Sequence, residues 1–181
     1  CTTGNAVYVM DLEDNPGQII TQIAIPDDPA NSIHNAVNAN ITFVQRDSTA
    51  KANYYGALAY VADLENKVWK IDLTDNAGSE LGRKIKLFED IATDVNGRRN
   101  YQELLPVLDS SQNVSITNSV VESNILRLYW GTGDMDDLAE RNNQILNRLY
   151  GISDMGFTNF SLSWQTAADA ANKPAQYLIG H

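Results

Sequence analysis

The stretch Tyr60-Val-Ala-Asp-Leu-Glu-Asn-Lys-Val-Trp-Lys-Ile-Asp-Leu73 predicts two β-strands joined by a tight turn. Its first residues are largely apolar, and its second half carries β-branched or aromatic side chains at Val68, Trp69 and Ile71, which suit a pleated strand. Asn66 lies between the two halves and tolerates the positive φ that a short hairpin turn requires. We therefore expect a β-hairpin at this point of the chain.

The second half of that stretch recurs before and after it. The three copies begin at Asn5, Asn66 and Asn147, and they share the pattern Asn, any residue, Val or Leu, an aromatic residue, any residue, Ile or Met, then Asp or Ser. The first two copies continue in step to Gly17 and Gly78 as Asp-Leu-x-Asp-Asn-x-Gly. A recurrence at intervals of roughly 60 to 80 residues predicts repeated β units, such as four-stranded propeller blades lengthened by insertions.

The repeat also predicts where particular side chains lie. Tyr8, Trp69 and Tyr150 fall on one repeat position, so we expect them to pack in the core between blades rather than to stack on a ligand. Acidic residues close the predicted strands, and we expect their carboxylates to bond the backbone amides of the following turns, not to act as acid–base pairs. These residues are Asp11, Asp63 and Asp72.

Composition limits the possible functions of the chain. It has 181 residues, of which 43% are hydrophobic, enough for one domain or two small ones with a core. The net charge of −10 disfavours binding to nucleic acid. No apolar run approaches the ~18 residues of a membrane span. The chain opens on Cys1, its only cysteine, without an initiator Met or a visible signal peptide, and we expect it to be a piece or a processed product of a longer protein.

The remaining pattern is mostly β. Short alternating or apolar runs predict strands at 7–11, 18–25, 41–45, 82–88, 104–108, 114–121 and 125–130. The strand at 82–88 carries lysines and is predicted to be an outer strand. A helix is predicted from Asp134 to about Asn147. The predicted fold is thus a partial β-propeller of about three blades over residues 1–154 with one short helical insertion. We expect residues 155–181 to be a C-terminal extension with a further strand and a short helix.

Four motifs together resemble one family, the type IV pilus PilC/PilY tip adhesins. The stretch from Tyr60 to Leu73 looks like the family's signature strand pair, and Trp130-Gly-Thr-Gly-Asp134 resembles its Phe-Gly-Thr-Gly element. Asn147-Arg-Leu-Tyr-Gly-Ile-Ser-Asp154 resembles the Leu-Tyr-Gly-Ile-x-Asp that follows, and Val7-Tyr-Val-Met-Asp11 with Gly17 resembles an earlier blade. The four occur in the family's order and cover about residues 4 to 154.

This resemblance implies a segment of the family's C-terminal β-propeller. Such proteins are exported by Gram-negative bacteria to the cell surface or pilus tip, promote pilus assembly, oppose retraction and adhere. The implied partners are minor pilins of the tip, the remainder of the same propeller and a host or surface receptor. The residues that carry the family's structural signature are Tyr60, Asp63, Trp69, Asp72, Gly131, Gly133 and Tyr150.

The sequence departs from the family pattern in the turn and in the loop before it. Ala62 and Asn66 replace two glycines of the signature, and Lys67 replaces its Asn. The family often places an Asp-rich calcium loop just before the Tyr60 strand. Here residues 47–53 offer only Asp47, Thr49 and Asn53 as oxygen ligands and include a lysine, whereas Ca²⁺ takes six to eight oxygens.

A second candidate calcium loop runs from Asp94 to Glu103. On the EF-hand pattern Asp94, Asn96 and Glu103 take ligand positions, but Ala92 stands at the first position and cannot ligate. The alternative is an Asn-Gly turn with charged neighbours. Calcium is thus the one cofactor implied, with an incomplete ligand set: Asp47, Asp94, Asn96 and Glu103.

The sequence gives no motif for catalysis. The two histidines, His34 and His181, accompany no nucleophile motif, zinc spacing or phosphate-binding glycine loop. The expected function is therefore non-enzymatic. Two alternatives stay open: a quinoprotein-like propeller dehydrogenase, which would need calcium and a quinone at the centre of its ring, and a surface propeller unrelated to pili.

Overall fold

A computed structural model describes residues 4–27, 35–45, 57–73, 81–89, 99–109, 114–116, 120–122, 125–133, 147–154 and 176–180. Within these ranges every regular element is a β-strand and every pairing is antiparallel. The prediction of a mostly β fold is confirmed. The helical insertion predicted from Asp134 to about Asn147 and the short helix and strand predicted between 157 and 173 lie outside the described residues.

Twelve strands make up the described fold. They are β1 (Ala6–Met10), β2 (Ile19–Ala24), β3 (Thr42–Gln45), β4 (Ala57–Ala62), β5 (Lys67–Asp72), β6 (Lys84–Glu89), β7 (Leu105–Asp109), β8 (Val114–Ile116), β9 (Val120–Glu122), β10 (Ile125–Gly131), β11 (Leu149–Asp154) and β12 (Gln176–Gly180). The strands predicted from the sequence up to residue 154 are confirmed, with the run at 114–121 divided into β8 and β9.

The strands form three main sheets and one small hairpin. The first sheet is the pair β1–β2, the middle sheet has the order β3-β4-β5-β6, and the last sheet has the order β7-β10-β11-β12. The small hairpin β8–β9 lies in sequence between β7 and β10. The predicted outer strand with its lysines, β6, is indeed an edge of the middle sheet. The last sheet takes its edge strand β12 from the predicted C-terminal extension.

The hairpin predicted at Tyr60–Leu73 is β4 and β5, with Val61 opposite Trp69. Its turn closes through a 3.0 Å bond from the Asn66 amide to the Asp63 carbonyl. Asn66 has φ 60°, as predicted for the residue that replaces a glycine. Asn enters this left-handed region more readily than other side chains, so the turn forms without glycine.

The middle sheet is covered on both faces. On one face, Leu58, Tyr60 and Val68 join a hydrophobic cluster with residues of the last sheet. On the other face, the alternate residues Ala59, Val61, Trp69 and Ile71 join a second cluster with Val7, Ile23 and Ile25 of the first sheet or its end. The middle sheet therefore lies between the other two, and β4 and β5 are buried along almost their whole length.

A β-bulge and an aromatic group strengthen the contact with the last sheet. The register of β5 and β6 shifts between Val68 and Trp69, which brings the consecutive residues Leu87 and Phe88 into the same cluster. Phe88 meets Trp130 edge-on at 5.0 Å between ring centroids, and Trp130 stacks on Tyr150 at 5.3 Å. Aromatic pairs in such geometry contribute about 0.5–1.5 kcal/mol beyond their burial.

Candidate functional site

The signature residues of the central hairpin meet in a buried polar network rather than in an open cleft. Asp63 follows β4 and is completely buried. Its carboxylate accepts hydrogen bonds from Trp69 Nε1 at 2.9 Å, Asn35 Nδ2 at 3.0 Å and the Lys67 amide at 2.9 Å. Burial raises the pKa of Asp63, and the hydrogen bonds, led by that from Trp69, oppose the rise. Asp63 thus fixes the turn, the indole of β5 and the segment at Asn35 to one another.

A second group of polar side chains crosses from the middle sheet to the last sheet. Lys70 Nζ lies 2.7 Å from Asp154 Oδ2, and the Tyr60 hydroxyl donates to the same oxygen at 2.8 Å. The side chain of Lys70 is 0% exposed and that of Asp154 is 5% exposed. Burial, and then the charge of Asp154, raise the pKa of Tyr60 well above its usual value. This ion pair balances two charges that would otherwise be enclosed alone.

A third bond joins the turn itself to the last sheet. Trp130 Nε1 donates to Asn66 Oδ1 at 2.8 Å, and both residues are buried. Trp130 belongs to the aromatic group with Phe88 and Tyr150. Asn66 therefore does two things: its backbone makes the left-handed turn, and its side chain satisfies a buried indole N–H.

The repeat is visible in the backbone bonds that follow the repeated strands. In the first copy the Asp11 amide donates to the Gln18 carbonyl at 2.8 Å, and the Gly17 amide donates to the Asp11 carbonyl at 2.8 Å. In the second copy the Asp72 amide donates to the Arg83 carbonyl at 2.8 Å, and the Gly82 amide donates to the Asp72 carbonyl at 2.7 Å. Gly17 and Gly82 share a positive φ, of 89° and 82°.

These bonds correct the sequence alignment of the two copies at one point. The sequence paired Gly17 with Gly78, which lies outside the described residues, whereas Gly82 makes the bonds that correspond to those of Gly17. The stretch from Asp72 to Gly82 is four residues longer than that from Asp11 to Gly17. A side chain at Gly82 would be strained by the positive φ, and its Cβ would lie 3.0 Å from Ile23 Cγ1, so Ile23 would have to shift.

The strand-closing aspartates behave as predicted in part. Asp11 Oδ1 accepts from the amides of Glu13 and Asp14, and Oδ2 accepts from that of Asn15, so this carboxylate caps its turn. These bonds, first that from Glu13, lower the pKa of Asp11. The Asp72 carboxylate instead lies 3.4 Å from the Arg83 guanidinium.

One prediction about the aromatic repeat position is wrong. Trp69 is 7% exposed and Tyr150 6%, each packed between two sheets, but Tyr8 is 51% exposed. Trp69 faces the first sheet and Tyr150 faces the middle sheet, so each points toward the sheet that precedes its own in the chain. Tyr8 is on the first sheet, and the described residues hold no sheet in front of it.

The two signature glycines lie at the end of β10 and two residues beyond it. Gly131 ends β10, and a Cβ added there would meet no atom within 4 Å. The Gly133 amide donates to the Arg99 carbonyl at 3.0 Å. Neither is among the described glycines with positive φ, so backbone conformation does not explain them.

The candidate calcium ligands are not brought together by the described structure. Asp47, Asp94 and Asn96 lie outside the described residues. Glu103 is described, and its carboxylate accepts from Asn40 Nδ2 at 3.2 Å. Among the described residues no group of three or more His, Cys, Asp or Glu side chains could hold a metal ion. Calcium binding therefore stays a prediction. No helix in the described ranges is long and apolar enough to cross a membrane.

Comparisons with known proteins gave no match to a family model, to a curated protein or to a solved structure. The chemistry of the site must therefore be judged from its own residues. Sequence reasoning missed Lys70, Asn35 and the partnership of Tyr60 with Asp154. A signal existed for Lys70, because it is the one cation on the same face of its strand as Val68. None existed for Asn35.

Proposed function

We propose that the chain is part of a β-propeller and acts, without catalysis, in the type IV pilus system of a Gram-negative bacterium. Its roles there are the assembly of pili, the control of their retraction, and adhesion at the pilus tip. The observation that carries the proposal is the order of the four family-like motifs. Three of them, at Val7, Tyr60 and Asn147, contribute β1, the β4–β5 hairpin and β11, one in each successive sheet.

The arrangement of the sheets supports the propeller. The middle sheet joins its four antiparallel strands in chain order, and the last sheet does so apart from the inserted β8–β9 hairpin. Blades of a propeller are four-stranded sheets that follow one another around a ring. The two hydrophobic clusters on opposite faces of the middle sheet resemble the contacts that a blade makes with its two neighbours.

The burial of the polar groups supports a binding or structural role over catalysis. Lys70, Tyr60 and Asp154 bond to one another, and Asp63 accepts bonds from three donors. A general acid or base must reach a proton on its substrate, and these groups are enclosed between packed sheets. Adhesion and partner binding would then use the outer surfaces and loops of the propeller.

The proposal is tested by deleting the gene in its natural host and counting surface pili, measuring twitching and measuring adherence. Deletion should reduce all three, and the wild-type gene should restore them. A Trp69→Ala gene should fail to restore them because it opens the core between the sheets, whereas a Lys86→Met gene, changed at an exposed position of an edge strand, should restore them. Normal pili and twitching after deletion would favour a surface propeller unrelated to pili.

Two biochemical measurements complete the test. Minor pilins should copurify with the wild-type protein from the host and be reduced after Trp69→Ala. A quinone absorbance band in the purified protein, together with dye reduction by an alcohol substrate, would instead support the dehydrogenase alternative.

A further inference from the structure

β1 occupies the same place in its sheet as β5 and β11, but it has fewer neighbours. β5 pairs with β4 and β6, and β11 pairs with β10 and β12. Within the described residues β1 pairs only with β2. Because β2 corresponds to β6 and β12, the first sheet consists of the last two strands of the four-stranded unit. The edge of β1 that faces away from β2 is the edge that β4 and β10 cover in the other sheets.

The backbone bonds of the first sheet show which groups face that free edge. The Ile25 amide donates to the Asn5 carbonyl at 2.7 Å, and the Asp11 amide donates to the Gln18 carbonyl at 2.8 Å. Bonded and non-bonded pairs alternate along an antiparallel ladder, so Val7 and Val9 also direct their N–H and C=O groups toward β2. The backbone N–H and C=O groups of Ala6, Tyr8 and Met10 therefore point to the opposite edge of β1.

The corresponding groups of the middle sheet are bonded. The Asp63 amide donates to the Lys67 carbonyl at 3.1 Å, and the Leu73 amide donates to the Ala57 carbonyl at 2.9 Å. By the same alternation Trp69 bonds Val61 and Ile71 bonds Ala59. Trp69 and Ile71 are the counterparts of Tyr8 and Met10, so the repeat defines both the missing strand and its register.

The side chains at the free edge match such a partner. β1 reads Ala-Val-Tyr-Val-Met without a charged residue. Tyr8 is 51% and Met10 48% exposed, and Ile19 opposite Met10 is 53% exposed. Natural sheets protect free edges with charges, prolines or short strands, and β6 does so with Lys84 and Lys86. β1 has none of these devices.

We propose that the free edge of β1 is a strand-addition site. It takes one antiparallel β-strand of the β4 type, supplied by polypeptide outside residues 1–181. This strand is apolar, as β4 is. In the added strand, the residues that correspond to Asp63 after β4 and to Val61 and Ala59 of β4 pair with Ala6, Tyr8 and Met10 respectively. Main-chain hydrogen bonds supply the affinity in such pairing, and alternate side chains supply the specificity. The proposal uses only the pairing within three sheets and is independent of the pilus function.

Amide hydrogen exchange of the full chain, read by NMR, tests the proposal. The probe is a synthetic peptide with the sequence of residues 57–66, which contains β4 and its turn. In the free, dilute chain the amides of Ala6, Tyr8 and Met10 should exchange rapidly while those of Val7 and Val9 are protected. At a peptide concentration ten times its Kd, exchange at the first three should slow by about tenfold.

Two methylated peptides provide matched controls. N-methylation at the positions of Ala59 and Val61 removes the N–H groups that would face β1, and this peptide should give no protection. N-methylation at the positions of Leu58 and Tyr60 removes N–H groups on the other edge, and this peptide should still protect. Equal behaviour of the two would overturn the proposed register and with it the proposal.

Three other outcomes also contradict the proposal. Protection of the Tyr8 amide in the free, dilute chain would mean that the chain itself covers the edge. Protection that rises with protein concentration, without peptide, would identify a second copy as the occupant. Unchanged exchange with all peptides would show that the edge binds no such strand.

Discussion

β5 and β1 have the same sequence pattern and different surroundings. Both follow the order Asn, any residue, Val, aromatic, any residue, Ile or Met, Asp, and both end in a turn closed by the same two backbone bonds. Yet Trp69 is 7% exposed and Tyr8 is 51% exposed. Local sequence therefore determines the strand and its turn, whereas the burial of an aromatic side chain depends on whether a sheet lies in front of it.

The same contrast applies to polar groups. The middle sheet encloses Asp63, Lys70 and Asp72, and the side chain of each has a partner in range. In the first sheet the turn at Asp11 is exposed to water. An unpaired polar group costs much more when buried, so we expect substitutions in the middle sheet to have larger effects than their counterparts in the first sheet.

The largest expected difference is between Trp69→Ala and Tyr8→Ala. Loss of a buried aromatic side chain costs about 3–5 kcal/mol, and Trp69→Ala also removes a hydrogen bond to buried Asp63, which adds about 1–3 kcal/mol. Tyr8→Ala should change the free energy of unfolding by no more than about 0.5 kcal/mol. Urea unfolding of both variants measures the difference. A comparable loss for Tyr8→Ala would show that the first sheet is covered.

The buried ion pair between the sheets gives the next largest effect. Lys70→Met leaves the Asp154 carboxylate enclosed without its cation and should destabilise the fold by about 3–5 kcal/mol. The control is Lys86→Met, which breaks an exposed pair with Glu89 and should cost no more than about 1 kcal/mol. The double variant Lys70→Met/Asp154→Leu should recover part of the loss, because it removes both charges but leaves the buried Tyr60 hydroxyl without its acceptor. No recovery would show that the pair does more than balance charge.

Much of the fold was predictable because its signals are local. The apolar run of β4, the β-branched residues of β5 and the turn residue Asn66 all lie within one stretch, and each behaves as predicted. The contacts of Tyr60 were not predictable, because its partner Asp154 is 94 residues away and no local rule connects them. The exposure of Tyr8 was missed for a related reason, since it depends on what lies beyond the first sheet.

Loop length caused the remaining error. The sequence aligned Gly78 with Gly17 because both follow an Asp-Asn-x pattern, but the bonds show that Gly82 is the equivalent residue. A loop can gain residues at little free-energy cost as long as its ends still meet, so sequence similarity within loops is a weaker guide than the bonds at their ends.

An intermediate effect is expected at Asn66, the left-handed turn residue with a side-chain bond to Trp130. Asn66→Ala introduces about 1–2 kcal/mol of backbone strain and leaves the indole N–H without its acceptor, which costs about 1–3 kcal/mol more. Asn66→Gly also removes the side-chain acceptor of the Trp130 indole, but it leaves the backbone of the turn unstrained. It should therefore be the more stable of the two variants. Thermal unfolding of the two measures the strain less the roughly 0.5–1 kcal/mol that the more flexible glycine costs through the unfolded state, and a lower stability of Asn66→Gly would contradict a strained turn.

The smallest effect is expected at Tyr60, and it changes with pH only above about pH 10. Burial and the nearby Asp154 raise the pKa of this tyrosine in the folded protein, so the folded state keeps a proton that the unfolded state loses. The stabilisation is fully present below the unfolded pKa of about 10 and is lost as the pH rises above it. Tyr60→Phe should cost about 1 kcal/mol near neutral pH, for the lost hydrogen bond.

The disadvantage of Tyr60→Phe should then shrink as the pH rises above about 10, because phenylalanine does not titrate and the alkaline loss of stability becomes less steep. Urea unfolding of both proteins at pH 8, 9, 10 and 11 measures this, and the two lower values serve as the reference. Every other titrating group is common to the two chains, so it cancels in their difference. A gap that stays constant to pH 11 would mean that Tyr60 ionises alike in both states, and hence that the contact between the middle and last sheets opens to water at high pH before the chain unfolds.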